Sequence, residues 1–469
     1  MTGYGDAAAL VPRLSERFGE RVATGEAVRS AHAQGEGVSA PFLPDAVLFP
    51  RSTEEVAEAV RLCAAARVPI VPFGVGTSLE GQVQAVRGGV TFDLSGLDRI
   101  VAVNAADLDC RVEAGVTREA LNAHLRDQGL FFPLDPGANA TLGGMGATRA
   151  SGTNAVRYGT MREVTLGLTV VTPRGEIVRT GGRARKSSAG YDLTRLYVGS
   201  EGTLGIITEL QLRLFGVPET IAAGVCQFDA IRPAVEAVTT ILQMGLPVAR
   251  LEFLDALQMQ ACIAYSKLDD LAARPTLFIE LHGSPASVAD QRETITGLID
   301  TFGGGAPRWA ERQEDRTRLW AARHNAYWAA RALLPGFESI STDACVPIAA
   351  LPDVLAASQA AAEASGLTCP VVGHVGDGNF HVLILHRPEE RARADALATD
   401  IARRAIACGG TATGEHGIGL HRIGLLVEEH GPGVEIMRAI KQALDPDDIM
   451  NPGKLFTPPA AAPAPALAA

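Results

Sequence analysis

At 469 residues, with 47% hydrophobic and 20% charged side chains, the chain has the composition of a soluble globular protein and is too long for one ordinary core. Its 42 basic against 53 acidic side chains give a formal charge of -11, which excludes the broad positive surface needed for non-specific nucleic-acid binding. Seven cysteines, odd in number, widely spaced and without a CxxC, argue against a disulfide framework and a cysteine zinc site.

No apolar run approaches the roughly 18 residues that span a bilayer. The N-terminal "MTGYGDAAALVPRLSERFGE" carries Asp6, Glu16 and Glu20 and no continuous apolar core, so it reads as neither a secretory signal nor a transit peptide. A cytoplasmic protein, peripheral at most to a membrane through a partner, is expected.

Residues 1–44 form a mixed lead-in that ends in the irregular "QGEGVSAPFLPD". A first domain is expected over 45–217. Within it "STEEVAEAVRLCAAARVP" predicts a helix: Ser52 and Glu55 make a capping box, Val56, Val60 and Cys63 share a face, and Pro69 lies beyond the end. "VPIVPFG" is a short buried strand running into glycines. The runs "VTFDL", "RIVAVN" and "CRVEAG" follow as strands. "TREALNAHLRDQG" is a second helix with Thr117 as N-cap and Gly129 as stop. Residues 133–163 are so rich in Gly, Ala, Ser, Thr and Asn that a functional loop is expected. "VTLGLTVVTPRGEIVRTG" then reads as strand, turn and strand, and "GSEGTLGIITELQLRLF" leads into another strand.

Near residue 217 the composition shifts to long helical patterns alternating with strands such as "PTLFIELHG" and "CPVVGHVG", which predicts an α+β domain over 218–450. A short segment, 451–457, is followed by a Pro/Ala-rich tail, 458–469, expected to be disordered.

Three donor-rich loops carry the first chemical signal. In "PFGVGTSLEG", Gly74 and Gly76 match the start of a dinucleotide fingerprint, but Leu79 stands where its third glycine belongs, and no clear helix or acidic residue follows. The Rossmann reading fails. A phosphate loop remains sensible, with backbone N–H groups and the Thr77 and Ser78 hydroxyls as donors. A plain glycine turn explains one such loop equally well. Two further Gly/Ser/Thr clusters, at 143–153 and 199–205, favour a large ligand with phosphates, ribose and a heteroaromatic ring. FAD meets that description.

"PFGVGTSLEG", "PLDPGANATLGGMGATRASGTNAVRYGTMRE", "YDLTRLYVGSEGTLGIIT", "GHVGDGNFH", "GEHGIG" and "NPGKLF" occur in one order. The series resembles the FAD-linked oxidases of the vanillyl-alcohol oxidase type, in the branch of cytochrome-type D-lactate dehydrogenases and glycolate oxidase flavin subunits, from about residue 45 to 456. The resemblance implies an α+β fold: a two-part FAD-binding domain, then an α+β ferredoxin-like cap over the flavin. By match, Pro72, Gly74, Val75, Gly76, Thr77, Ser78 and Leu79 would hold the pyrophosphate, and Pro136 and Gly137 would lie near the flavin. Gly143, Gly144, Ser151, Gly152 and Asn154 would contact the ring and ribityl chain. Glu201, Gly202 and Ile207 would line the adenine side, with Asn451 closing the site. With no histidine in the flavin-loop motifs, the FAD is expected to be non-covalent.

The second signal is "VVGHVGDGNFH". Gly373, Gly376 and Gly378 exclude a helix; with "GDGN" as a hairpin loop, His374 pairs with His381 and both imidazoles face one way. Two satisfied buried histidines would account for a lone pair. Glu415 in "TGEHGIG" is the natural third ligand, and the family's divalent metal at the matching positions favours a site for Zn2+, with Mn2+ or Fe2+ as alternatives. His416 is the candidate general base for the hydroxyl of a 2-hydroxy acid, whose pKa a nearby cation lowers. His421 is a weaker rival. Arg323 matches the family's carboxylate-binding arginine, whereas Arg331 reads as helix surface. Asn379 is expected to donate to substrate or to orient a ligand.

"ESISTDACVP" lacks the lysine that meets a distal carboxylate in dicarboxylate-specific relatives. The expectation is therefore an FAD-dependent D-2-hydroxyacid dehydrogenase, with D-lactate to pyruvate preferred. A glycolate oxidase flavin subunit or a longer-chain dehydrogenase is the alternative. A zinc hydrolase is the rival from another class, and a non-catalytic flavin subunit a third. The expected partners are a 2-hydroxy acid, a redox acceptor (cytochrome, quinone or electron-transfer flavoprotein) and a second copy of the chain as a homodimer.

Overall fold

The helix predicted from residue 52 forms as Thr53–Ala66 in the computed structural model, which describes residues 3–36, 41–268 and 270–456. Ser52 Oγ accepts the Glu55 N–H at 3.2 Å, but the reciprocal half of the capping box is missing. The Glu55 carboxylate instead takes the Arg51 N–H at 2.8 Å and pairs with Arg21. Val56, Val60 and Cys63 are fully buried, in one cluster with Leu10, Leu14 and Phe18 of the helix Ala7–Phe18. The lead-in is thus part of the first core, because its helix presents an apolar face that needs a partner.

That core lies against a four-stranded sheet ordered Val22–Ala23, Ala46–Leu48, Val90–Asp93, Ile70–Phe73, whose last three strands are parallel. Met450 bridges Ile70, so the chain's C-terminal part returns to the strand that feeds the first glycine loop. A five-stranded antiparallel sheet forms the second half of this domain, from Ile100–Asn104, Asp109–Glu113, Ile206–Arg213, Thr165–Val171 and Ile177–Gly181. The second predicted helix is Arg118–Leu125, capped by Thr117; it tightens into the 3-10 turn Arg126–Gln128, which left-handed Gly129 ends. The 133–163 stretch is not an open loop. It holds the short helices Leu142–Thr148, Ala155–Tyr158 and Met161–Val164. Gly143 lets the first of them touch Ala114, just past the strand Asp109–Glu113, where a Cβ would collide.

The cap begins with strands Thr220–Gln227, Val248–Leu254, Thr276–Gly283 and Arg308–Ala310, lying in the spatial order fourth, first, third, second. With the helices Ile231–Gln243 and Pro285–Thr301 as connections, this is the ferredoxin-like arrangement. Val371–His374, Asn379–His386, Glu338–Ser341 and Ala344–Cys345 extend it to eight strands. Four helices bury one face of the sheet. The other face packs on Ala256–Ser266, Gln313–His324 and Ala326–Ala332 and carries a polar row that meets the first domain. The tail expected to be disordered, 458–469, lies outside the described residues. No helix among the described residues is long and apolar enough to cross a membrane.

Candidate active site

"VVGHVGDGNFH" does form a hairpin, but its loop is Val375–Gly378, one residue earlier than expected. Gly378 takes the left-handed position at φ 77°, and a Cβ there would run into the Val346 carbonyl oxygen. His374 therefore stands opposite Asn379, and His381 opposite Val372. The pairing moves by two residues, so both histidines stay on one face as diagonal neighbours, with ring centroids 5.5 Å apart.

Each imidazole is oriented by its Nδ1. In His381 this atom donates to the Thr342 carbonyl at 2.9 Å; in His374 it meets Glu252 Oε1 at 2.8 Å. Both Nε2 atoms therefore turn to Glu415 Oε1, at 3.3 Å from His381 and 3.5 Å from His374. A protonated Nδ1 held by a carbonyl or carboxylate is the arrangement that frees Nε2 for a metal. His416 stacks on His381 at 5.1 Å and 7°, with Nε2 3.9 Å from the same carboxylate oxygen. Its buried Nδ1 makes no hydrogen bond and lies 3.5 Å from Glu80 Oε1.

Carboxylates from both domains hold the segment bearing Glu415 and His416. Asp343 Oδ2 accepts from Thr413 Oγ1 at 2.7 Å, Glu415 N–H at 2.9 Å and His416 N–H at 2.8 Å. Glu201 accepts the N–H groups of Ile418 and Gly419 at 2.7 and 2.8 Å. Gln82 Nε2 donates to the His416 carbonyl at 2.8 Å.

Potential ligand atoms of Asp343, His381, Glu415 and His416 lie within 4.8 Å of one another, a group that leaves out His374. Asp343 is nevertheless a poor ligand. Its Oδ2 already has three donors, and its Oδ1 accepts from Asn379 Nδ2 at 2.9 Å. His374, with Nε2 directed at Glu415, is the better one. His374, His381 and Glu415 could hold a cation, with His416 beside them.

Burial alone would raise the Glu415 carboxyl, but His374 and His381 outweigh it and hold it well below the usual range. Burial works against charge on His374, yet Glu252 and Glu415 push it well above the ordinary imidazole value. His416 is raised against burial by Asp343, Glu80 and Glu415. A bound cation reverses this balance, because imidazoles ligate only when neutral.

A cavity of about 410 Å³ joins these groups to the glycine loops. Its wall includes Pro72, Gly74, Val75, Gly76, Thr77, Ser78 and Leu79, then Pro136, Gly137, Gly143, Gly144, Ser151 and Gly152. Gly202, Ile207 and Asn451 also line it, and Arg323, His374, His381, Glu415 and His416 close the cap end. The first loop fits a pyrophosphate. The N–H groups of Val75 to Leu79 find no acceptor among the described residues, and Ser78 Oγ is buried without a partner.

Four expected residues sit differently. Glu201 reaches the wall, but its carboxylate, pushed up to about 7 by burial, is engaged with the 418–419 backbone rather than with an adenine side. Asn154 is off the wall: it donates to the Pro133 carbonyl at 2.9 Å and accepts from Arg250 of the cap at 3.1 Å. Asn379 is also off the wall: it donates to Asp343 Oδ1 at 2.9 Å and to the Ala344 carbonyl at 3.0 Å, so of its two expected roles the geometry leaves the orienting one, through Asp343, and not a direct contact with substrate. Arg323 is held along one side edge, where its Nε and Nη2 meet Glu252 Oε2 at 2.8 and 2.5 Å. The outer edge, Nη1 with the second N–H of Nη2, remains for a carboxylate.

Glu80, Glu252 and Asp343 were not singled out from the sequence. Glu252 did leave a signal: a lone acid in the apolar alternation "VARLEFL".

An FAD binding domain model matches residues 44–181, and the model of FAD linked oxidases, C-terminal domain, matches 217–455. The chain is 50% identical, over 93% of its length and 89% of the relative's, to a probable mitochondrial D-lactate dehydrogenase of Danio rerio. It is 42% identical, over 96% of its length and 79% of the relative's, to the mitochondrial D-lactate dehydrogenase (cytochrome) of Arabidopsis thaliana. Among solved structures, p-cresol methylhydroxylase with substrate bound shares the fold at a TM-score of 0.78 and 18% identity, over 96% of each chain. The relatives' mitochondrial location overturns the cytoplasmic expectation, which rested on the character of the first twenty residues. With both halves matched and the fold shared, the chain belongs to the FAD-linked oxidases of the vanillyl-alcohol oxidase type.

Proposed function

We propose that this FAD-linked oxidoreductase is a D-2-hydroxyacid dehydrogenase that oxidises D-lactate to pyruvate and passes the electrons to a cytochrome, a quinone or an electron-transfer flavoprotein. One observation carries the reading: a single cavity runs from an unsatisfied phosphate-type loop to a His/His/Glu group beside a second histidine and a buried arginine. The D-lactate dehydrogenase relatives support the choice of substrate.

Bound FAD supplies the acceptor for the two electrons that leave C2. His374, His381 and Glu415 would hold a divalent cation, Zn2+ in preference to Mn2+ or Fe2+, which would supply the charge that lowers the pKa of the substrate hydroxyl. The chain's own residues do the rest. Arg323 offers its outer edge, Nη1 and the second N–H of Nη2, to the substrate carboxylate, while Glu252 holds the Nε side. His416 takes the hydroxyl proton at Nε2, in a geometry held by Asp343 and Gln82. Val372 and Leu383 on the cavity wall are apolar, which suits a methyl tail better than a second carboxylate. A zinc hydrolase would use the same histidines but leaves the glycine-loop cradle without a role.

The test is anaerobic mixing of the FAD-loaded protein with D-lactate, L-lactate, glycolate and D-2-hydroxyglutarate. Bleaching of the flavin fastest with D-lactate is expected. No bleaching, or a preference for glycolate or the L-acid, overturns the reading.

A further inference from the structure

We propose that Glu252 is a positioning residue that sets the metal-ligand end and the carboxylate-binding end of the site at once; this rests on the function proposed above. The strand Val248–Leu254 pairs with Val371–His374, with Phe253 opposite Gly373. The alternation of side chains then puts Glu252 beside His374 on the face that meets the cavity. One carboxylate oxygen, Oε1, meets His374 Nδ1 at 2.8 Å. The other, Oε2, accepts from Arg323 Nε at 2.8 Å and faces Nη2 at 2.5 Å.

Glu252 is 1% exposed, so its charge is removed from water in the middle of a sheet. An apolar side chain of similar size would fill that place without the desolvation cost. What the carboxylate gains is two fixed directions. The His374 Nδ1 proton is held, which aims Nε2 at Glu415, and the Arg323 guanidinium is rotated so that its outer Nη1/Nη2 edge remains free. The two ends of the substrate, hydroxyl and carboxylate, are thereby set at a fixed separation by one side chain.

Glutamine tests this without changing size. It has one acceptor oxygen and no charge, so Glu252→Gln loses one contact outright, with an amide N–H set against a donor, and loses the charge that strengthens the other. Metal-stripped, FAD-loaded protein is titrated with Zn2+ against a chromogenic chelator, and KM and kcat for D-lactate are measured separately. The Zn2+ dissociation constant is expected to rise about 10- to 100-fold, and KM by about tenfold or more, with FAD stoichiometry unchanged. Glu252→Asp keeps the charge but is too short to reach both partners, so it decides the matter if the glutamine variant does not fold. Zn2+ affinity and KM within threefold of wild type in the folded variant overturn the proposal. A change in one quantity alone overturns the bridging role. Wild-type protein that binds no Zn2+ removes the metal reading itself, a failure distinct from a wild-type site that binds and is indifferent to Glu252.

Discussion

Asp343 holds Glu415 through the backbone rather than through its side chain: Oδ2 accepts the Glu415 N–H at 2.9 Å, while the Glu415 carboxylate points to His374 and His381. The same oxygen accepts the His416 N–H at 2.8 Å, so one fully buried carboxylate sets the origin of both side chains.

Asp343→Asn is therefore expected to damage the site more than a change of one atom implies. Asn379 Nδ2 donates to Oδ1, and three donors converge on Oδ2. An amide NH2 must face one of these sets, leaving a donor unpaired at a cost of about 1–3 kcal/mol. Displacement of Glu415 and His416 is expected to lower kcat/KM by about 100-fold. Denaturant unfolding and steady-state kinetics check the two effects; a variant with wild-type kinetics would show that the loop positions itself.

His416→Ala is expected to slow anaerobic flavin reduction by D-lactate about 10²- to 10⁴-fold, the range for loss of a general base. Flavin content is expected to persist, because the loop is held by backbone groups and not by the imidazole. Rapid-mixing absorbance at the flavin band measures it. Reduction at the wild-type rate would assign the proton to another group.

Ser78→Ala removes the buried, unpartnered hydroxyl of the first glycine loop. The loss of one donor to a phosphate, about 0.5–1.5 kcal/mol, is expected to weaken FAD binding about two- to tenfold. Titration of apoprotein with FAD, followed by fluorescence quenching, gives the ratio. An unchanged affinity would mean that this hydroxyl does not meet the cofactor.

Asp255 caps the helix Ala256–Ser266, its Oδ1 accepting the Gln258 N–H at 2.7 Å. Burial raises its carboxyl from 3.8 to about 6, although the Gln258 N–H acts in the opposite direction. A raised folded-state pKa means that the native protein keeps the proton longer, so stability is fully present below 3.8 and is lost as pH rises through about 6. The size is on the order of 3 kcal/mol. Asp255→Asn retains a capping oxygen and is expected to remove this component, so that the wild-type-minus-variant stability falls from pH 4 to 6. Urea unfolding across that range measures the difference; a flat difference would contradict the shift.

Much of the fold was legible because its signals are local. Ser52 and Thr117 cap the helices expected of them, Gly129 ends the second, and the glycine loop after "VPIVPF" leaves its N–H groups unpaired. The face shared by His374 and His381 was legible too, since parity along a strand survives a two-residue error in register. The register itself was not, because the turn is placed by Gly378 against Val346, more than thirty residues away.

The sequence by itself determined which residue types stand at the candidate site: glycines that leave donors free, and His374, His381, Glu415 and His416 in two glycine-rich turns. Those are properties of residue type and near neighbours. Only the tertiary structure decided what each polar group is held by. Glu252, Asp343 and Glu201 reach the site from other strands and turns, 71 residues from Arg323 to Glu252 and 217 from Glu201 to Ile418. A buried donor or acceptor must find a partner wherever the fold supplies one, and that partner's position in the chain has no local signature.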